Sequence, residues 1–214
     1  MIRVLVCDDH LIVRQGIKQI LADAGDIALA GEAANGPEAL ALVRAGGIDV
    51  VLLDIAMPQR DGLDVLKALK AEQPKLPVLM LSTYPDRQYA VRSLKMGAAG
   101  YLNKSADSEQ LIDAIRRVAQ GKLFITAGVA ELMAEQLVAP KAGDDAPLHE
   151  RLSHREYQVF RLLAAGRSVG EIAEALVLSP NTVSTYRARI LEKTGVRNDV
   201  ELALYAVRLE QHSV

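Results

Sequence analysis

A chain of 214 residues, half of them hydrophobic, can bury a sizeable core as one large domain or two small ones. Its 25 basic and 27 acidic side chains leave a net charge of −2, so any basic surface has to be local. No apolar run reaches the length of a membrane span, and Cys7, the single cysteine, excludes an internal disulfide.

The first 120 residues alternate strand-like and helical patterns. Short apolar runs predict strands near 2–7, 27–32, 49–53, 77–81 and 100–103. Between them, Val13, Ile17, Ile20 and Leu21 share a helix face, followed by Ala39, Leu40 and Val43, then Leu63, Leu66 and Leu69, then Ala90, Val91 and Leu94. Leu111, Ile112, Ile115, Val118 and Ala119 mark a fifth helix. Five βα repeats predict an α/β fold, a five-stranded parallel sheet with helices on both faces. Residues 124–138 suggest one more helix. Ala139-Pro140-Lys141-Ala142-Gly143-Asp144-Asp145-Ala146-Pro147 then lacks apolar periodicity and predicts an exposed linker. The boundaries expected are a first domain over 1–122, a linker helix and flexible linker over 123–149, and an all-α domain of four helices over 150–214.

In that last stretch, Ser153 followed by Glu156 is a capping box, with Val159, Phe160, Leu162 and Leu163 buried behind it and Gly166 ending the helix. A short helix follows with Ile172, Ala173 and Leu176 inward, running into Val177-Leu178-Ser179. Ser179 caps a third helix with Pro180 at its first position, and Val183, Ile190 and Leu191 face the core. The third helix carries Asn181, Thr182, Ser184, Thr185, Arg187, Arg189 and Lys193 on its polar side. A fourth helix is expected over 196–207, with Val200, Ala203, Leu204 and Val207 on one side, facing either core or a second copy. Two helices joined by a short turn, the second polar and basic, suit docking in a DNA major groove. Hydroxyls and Asn near its N-terminus can meet phosphate or base edges, and the Arg and Lys side chains can neutralise phosphates or read guanine.

The chemistry of the first domain sits where strands end. Asp8 and Asp9 close the first run, and Asp54 closes Val50-Val51-Leu52-Leu53. Ser82 and Thr83 end the fourth run, and Lys104 follows Gly100-Tyr101-Leu102-Asn103. In an open parallel sheet these residues meet at one edge, where ligands bind. Three crowded carboxylates call for a hard cation, and oxygen ligands favour Mg²⁺. One carboxylate can attack phosphorus while Lys104 stabilises the transferred charge and Ser82 donates to a phosphoryl oxygen. His10, beside the acids, reads as the start of the first helix, because no second His or Cys stands near it.

This set, in this order, resembles the receiver domain of two-component response regulators, with the flavodoxin-like fold that implies. The resemblance implies that Asp54 is the phospho-acceptor and that Asp9, Asp54 and the Ala56 carbonyl hold the metal, with Asp8 acting through a metal-bound water. It implies Ser82 as the switch hydroxyl, with Thr83 the neighbouring alternative, and Tyr101 as the aromatic that reports activation. The C-terminal stretch resembles the LuxR-type helix-turn-helix domain through Leu152-Ser153-His154-Arg155-Glu156, Glu171-Ile172-Ala173, Ser179, Thr182-Val183 and Lys193. Tyr186 stands where that family commonly has His. Together the two halves resemble the NarL/FixJ class of response regulators. That implies a cytoplasmic transcription regulator rather than an enzyme, phosphorylated by a sensor histidine kinase, binding double-stranded DNA, and forming a homodimer when phosphorylated. An opening that runs straight into a strand-like pattern, with no basic region before an apolar stretch, leads us to expect no export signal, and the lone cysteine fits a reducing compartment.

Three other readings can be set against this one. A phosphatase of the haloacid dehalogenase type also uses an Asp after a strand, but has a second Asp where this chain has Ala56. A ligand-sensing LuxR-type regulator would match only the C-terminal half. A regulator with a vestigial receiver would not be expected to keep the acids, the hydroxyl and the lysine together.

Overall fold

The computed structural model describes residues 1–57, 62–83, 86–138, 152–176 and 178–211. The expected flexible linker beyond residue 138, together with Pro58, Asp61 and Val177, lies outside the described residues. The chain divides into two compact units, Met1–Lys141 and Ala142–Val214. No helix among the described residues is long and apolar enough to cross a membrane.

The first unit runs β1 (Ile2–Cys7), α1 (Leu11–Asp23), β2 (Ile27–Ala33), α2 (Gly36–Ala45), β3 (Val50–Asp54), α3 (Gly62–Glu72), β4 (Val78–Ser82), α4 (Asp86–Lys95), β5 (Gly100–Asn103), α5 (Ser108–Ala119) and α6 (Ala127–Val138). The five strands form one sheet in the order β2-β1-β3-β4-β5, and every neighbouring pair is parallel. Every residue of β3 and β4 is buried, as expected for strands covered on both faces. The period-two alternation then sorts side chains between two cores. Leu5, Cys7, Val51, Leu53, Met80 and Tyr101 face the layer containing α2, α3 and α4. Val4, Val6, Leu52, Leu79, Leu81 and Leu102 face α1 and α5. The strand order reverses beside β1, so the crevice beyond the carboxyl ends of β1 and β3 is the expected ligand position.

Local chemistry stops and starts these helices. The Asn35 side chain accepts the Glu38 N–H at 3.0 Å, and Glu38 accepts the Ala34 N–H at 2.8 Å, closing a reciprocal cap on α2. Asp107 caps α5 by accepting the Gln110 N–H at 2.8 Å. The helix anticipated over 124–138 begins only at Ala127. Phe124 instead forms a parallel bridge to Gly100, with its N–H donating to the Ala99 carbonyl at 2.9 Å. Val129 on α6 is fully buried in the core shared with α4, so this segment lies in the first compact unit.

Gly62 packs directly beneath the end of β3. A Cβ at this position would lie 2.1 Å from the Asp54 carbonyl oxygen and 2.8 Å from the Ile55 Cα. Backbone cannot yield as a flexible side chain can, so Gly62→Ala should destabilise the first unit by about 2–3 kcal/mol. Urea unfolding of the full chain, followed by circular dichroism, measures this.

The second unit contains, among its described residues, α7 (His154–Ala164), α8 (Val169–Ala175), α9 (Pro180–Thr194) and α10 (Asp199–Gln211). The Ser153/Glu156 capping box is formed, and a second box, Ser168/Glu171, starts α8. Gly195 ends α9 in the left-handed region at φ 71°, where a side chain would be strained. Val159, Phe160, Ile172, Val183, Ile190 and Leu202 build the core. The fourth helix starts at Asp199, three residues later than expected, and the stripe expected to face either core or a second copy does not lie in the core of this module. Leu202 is fully buried, whereas Val200, Leu204 and Val207 are 71%, 56% and 52% exposed.

Candidate functional site

Asp8, Asp9, His10 and Asp54 each offer one ligand atom, and these atoms all lie within 4.8 Å of one another. Sheet geometry produces the cluster. β1 and β3 are adjacent and in register, with Cys7 opposite Leu53, so the residues that follow meet at one edge. The Asp8 N–H donates to the Ala33 carbonyl at 3.1 Å, extending the β1–β2 ladder by one step. The Ile55 N–H donates to the Leu81 carbonyl at 3.1 Å, holding Asp54 against β4. Asp8 and Asp54 are 0% and 1% exposed.

Lys104 reaches this edge from β5. Its N–H donates to the Ser82 carbonyl at 2.7 Å, fixing the backbone beside the end of β4. Its Nζ lies 2.6 Å from Asp8 Oδ2 and 3.0 Å from Asp54 Oδ1. Ser82, the last residue of β4, is buried, whereas Thr83 beyond the strand is exposed. Tyr101 is fully buried on β5.

The electrostatics follow from burial. Burial pushes the Asp54 carboxyl up to about 6; Lys104 opposes this shift and Asp8 adds to it. Burial works against the Lys104 ammonium, but Asp54 and Asp8 outweigh it and hold its pKa above the ordinary lysine value. Cys7, directly below the acids, has its thiol pushed up to about 12 by burial, with Asp54 and Asp8 adding to the shift. That thiol is no nucleophile near neutrality.

Asp8 Oδ2, Asp9 Oδ1 and both Asp54 oxygens are buried without a well-formed hydrogen bond. Lys104 Nζ faces Asp8 Oδ2 and Asp54 Oδ1, and His10 Nδ1 lies 2.9 Å from Asp9 Oδ1. Such orphaned acceptors are costly unless a cation completes them. Their all-oxygen character fits a hard divalent ion of the Mg²⁺ type. Ala56, two residues past Asp54, carries the backbone carbonyl anticipated as a further ligand.

Two side chains beside this pocket were not anticipated in these positions from the sequence. His10 does precede α1, yet its ring also lies among the carboxylates, 3.2 Å from Asp8 Oδ1. Its adjacency to Asp9 was the available signal. Arg14, one turn into α1, donates from Nη1 to the Asp8 carbonyl at 2.7 Å.

In the second unit, Ser179 Oγ accepts the Thr182 N–H at 3.1 Å and lies 2.8 Å from Thr182 Oγ1. Thr185 Oγ1 donates to the Asn181 carbonyl at 2.9 Å. Asn181, Thr182, Thr185, Tyr186 and Arg189 line a shallow surface groove along α9. Ser184 and Arg189 are exposed. The other two cations expected on this face are engaged within the module. Arg187 Nε bonds Asp199 Oδ1 at 2.8 Å, and Lys193 Nζ reaches the buried Glu156 at 2.6 Å. Burial pulls the Glu156 carboxyl up, but Lys193 and the Ser153 amide outweigh it and hold it below its ordinary value.

Residues 4–116 match the family model described as the response regulator receiver domain, and residues 150–206 match bacterial regulatory proteins of the luxR family. Over 208 residues the chain is 40% identical to response regulator GacA of Pseudomonas aeruginosa, spanning 97% of this chain and 96% of that one. It is 37% identical to response regulator UvrY of Escherichia coli K12, spanning 97% and 94%. Among solved structures it is similar to RcsB from Salmonella enterica serovar Typhimurium bound to promoter rprA in the presence of the phosphomimetic BeF3−. The TM-score is 0.59, with 28% identity across 95% of this chain and 97% of that one.

Proposed function

The chain belongs to the NarL/FixJ class of two-component response regulators, joining a receiver domain to a LuxR-type helix-turn-helix, and from this we propose that Asp54 is its phospho-acceptor. The single observation that carries the reading is the Lys104 ammonium shared between buried Asp8 and Asp54 at 2.6 and 3.0 Å. An edge that already stabilises concentrated negative charge is suited to a transferred phosphoryl group.

Asp9, Asp54 and the Ala56 carbonyl would hold Mg²⁺, with Asp8 reaching it through a water. Bound there, the ion neutralises phosphoryl oxygens during transfer. The Asp54 carboxylate attacks phosphorus of a phosphohistidine on a sensor histidine kinase. The P–N bond breaks, the imidazole leaves with its electron pair, and an acyl phosphate remains on Asp54. Lys104 then pairs with a phosphoryl oxygen in place of a free carboxylate oxygen. Ser82, at the end of β4, donates its hydroxyl to another, with Thr83 the alternative donor. Ser82 ends β4 and Lys104 follows β5, and Tyr101 packs in the core α4 shares. Moving them biases the β4–α4–β5 face between two arrangements, of which Tyr101 is the reporter.

The output would be double-stranded DNA binding by the C-terminal module. Ser179, Asn181, Thr182, Ser184, Thr185 and Arg189 would form the reading face at the start and middle of α9, with hydroxyls and the positive end of the helix dipole toward phosphate. Arg187 and Lys193, tied to Asp199 and Glu156, brace that helix. The protein would act in the cytoplasm as a regulator without enzymatic turnover, as a homodimer when phosphorylated, reading two half-sites.

The test is label uptake from acetyl phosphate by the full chain. Incorporation is expected with Mg²⁺ and is expected to disappear when EDTA removes the ion. Uptake that survives chelation would contradict the metal role, and no uptake at all would contradict the acceptor.

A further inference from the structure

Arg14 on α1 is a largely buried arginine. Its side chain is only 14% exposed, and burying a guanidinium is expensive unless its donors are used. Only part of that cost is recovered locally. Nη1 donates to the Asp8 carbonyl at 2.7 Å. Nε is buried without a hydrogen bond, and Glu32 Oε2, near the end of β2, lies 3.6 Å away. Lys18 Nζ holds the same Glu32 at 3.2 Å. The guanidinium therefore spans from the β2 end to the one carbonyl that joins the two adjacent acids.

We infer that Arg14 is a positioning residue for the Asp8–Asp9 turn, setting the angle at which these two carboxylates face a bound divalent cation. The inference rests on the Mg²⁺ reading of the acidic pocket given above. Two consecutive aspartates after a strand point to opposite sides unless the peptide between them is rotated and held. The Asp8 carbonyl is the handle on that peptide. Arginine suits the task because its planar fork presents one donor to the carbonyl while Nε faces Glu32; a lysine ammonium cannot do both.

Charge and position make opposite predictions, which separates them. A cation acting only through its field repels Mg²⁺, so removing it would tighten binding. A side chain acting by position weakens binding when lost, whatever the charge of its replacement. Removing such an outer contact typically lowers metal affinity about 10- to 100-fold.

The experiment is calorimetric titration of MgCl2 into the full chain as wild type, Arg14→Lys, Arg14→Met and Glu32→Gln, with thermal melts in metal-free buffer alongside. Both Arg14 variants should bind Mg²⁺ about tenfold more weakly, and Glu32→Gln about threefold more weakly, with melting temperatures close to wild type. Arg14→Lys at wild-type affinity, or Arg14→Met tighter than wild type, would overturn the proposal. Should the Arg14 variants fail to fold, an unchanged affinity in Glu32→Gln overturns it equally. A wild-type chain that takes up no Mg²⁺ would overturn the pocket's metal reading, and this proposal with it.

Discussion

Asp54→Asn should lose phosphoryl uptake from acetyl phosphate by about 100-fold or more while the receiver stays folded. The amide has nearly the shape of the carboxylate, but its lone pair is delocalised and it cannot form the acyl phosphate. The fold should not suffer. Asp54 is 1% exposed and its carboxyl is pushed up to about 6 by burial, so the site already resists an ionised group. A neutral amide also relieves repulsion with Asp8. The melting temperature without metal should therefore equal or exceed that of the wild type. Label on Asp54→Asn at the wild-type level would move the acceptor to another carboxylate. Label lost together with the fold would make the loss uninformative about chemistry, which is why the melt is measured on the same sample.

Lys104→Met should lower metal-free stability by about 3 kcal/mol at pH 8, the scale of a buried pair losing one partner. Two carboxylates at 0% and 1% exposure share this ammonium, whose own side chain is 10% exposed. Methionine fills similar volume but leaves both charges uncompensated. The pH dependence has a definite sign. The folded Asp54 value, about 6 with Lys104 in place, lies above that of an unfolded aspartate. Stability from its protonation is fully present below the unfolded value and is lost as pH rises through the folded one. Without Lys104 the folded value climbs further, so the deficit of the variant should shrink as pH falls from 8 toward 5. Saturating Mg²⁺ should also recover more stability in the variant than in wild type, because the ion takes over the missing charge. Urea unfolding at two pH values, with and without Mg²⁺, reads all three effects. Equal stability of the two proteins at pH 8 without metal would mean the ammonium does not hold the acids together.

Elements with a strong local signal were legible from sequence. β3 and β4 are buried on both faces, so each reads as a continuous apolar run ending in a polar residue, Asp54 or Ser82. The Ser153/Glu156 box and the Ser179-Pro180 start of α9 are fixed by contacts within three residues. Placing Asp8, Asp9, Asp54 and Lys104 on one edge needed only the rule that parallel strands share a direction.

Features set by distant partners were not legible. Lys193 reads as one more cation on a basic helix, yet its partner Glu156 lies 37 positions away. Arg187 is engaged by Asp199 in the same way, across the turn into α10. Phe124 looked like helix, but its amide was taken by Ala99 beside β5, and pairing there leaves room only because Gly100 has no side chain. On α10, Val200, Leu204 and Val207 form the more regular apolar stripe, while the buried anchor is Leu202. In a small module the direction of approach of α7 decides which stripe is covered, and local periodicity does not carry that direction.

Phosphoryl transfer to Asp54 is proposed to change how the C-terminal helix-turn-helix engages DNA. The direct measurement is the dissociation constant of the full chain for a duplex selected from a random pool, at one stated salt concentration, with and without acetyl phosphate and Mg²⁺. Wild type should bind about tenfold more tightly with the donor, and Asp54→Asn should not respond. Equal affinity in all four conditions would mean that the phosphoryl group on Asp54 does not act on the DNA-binding module.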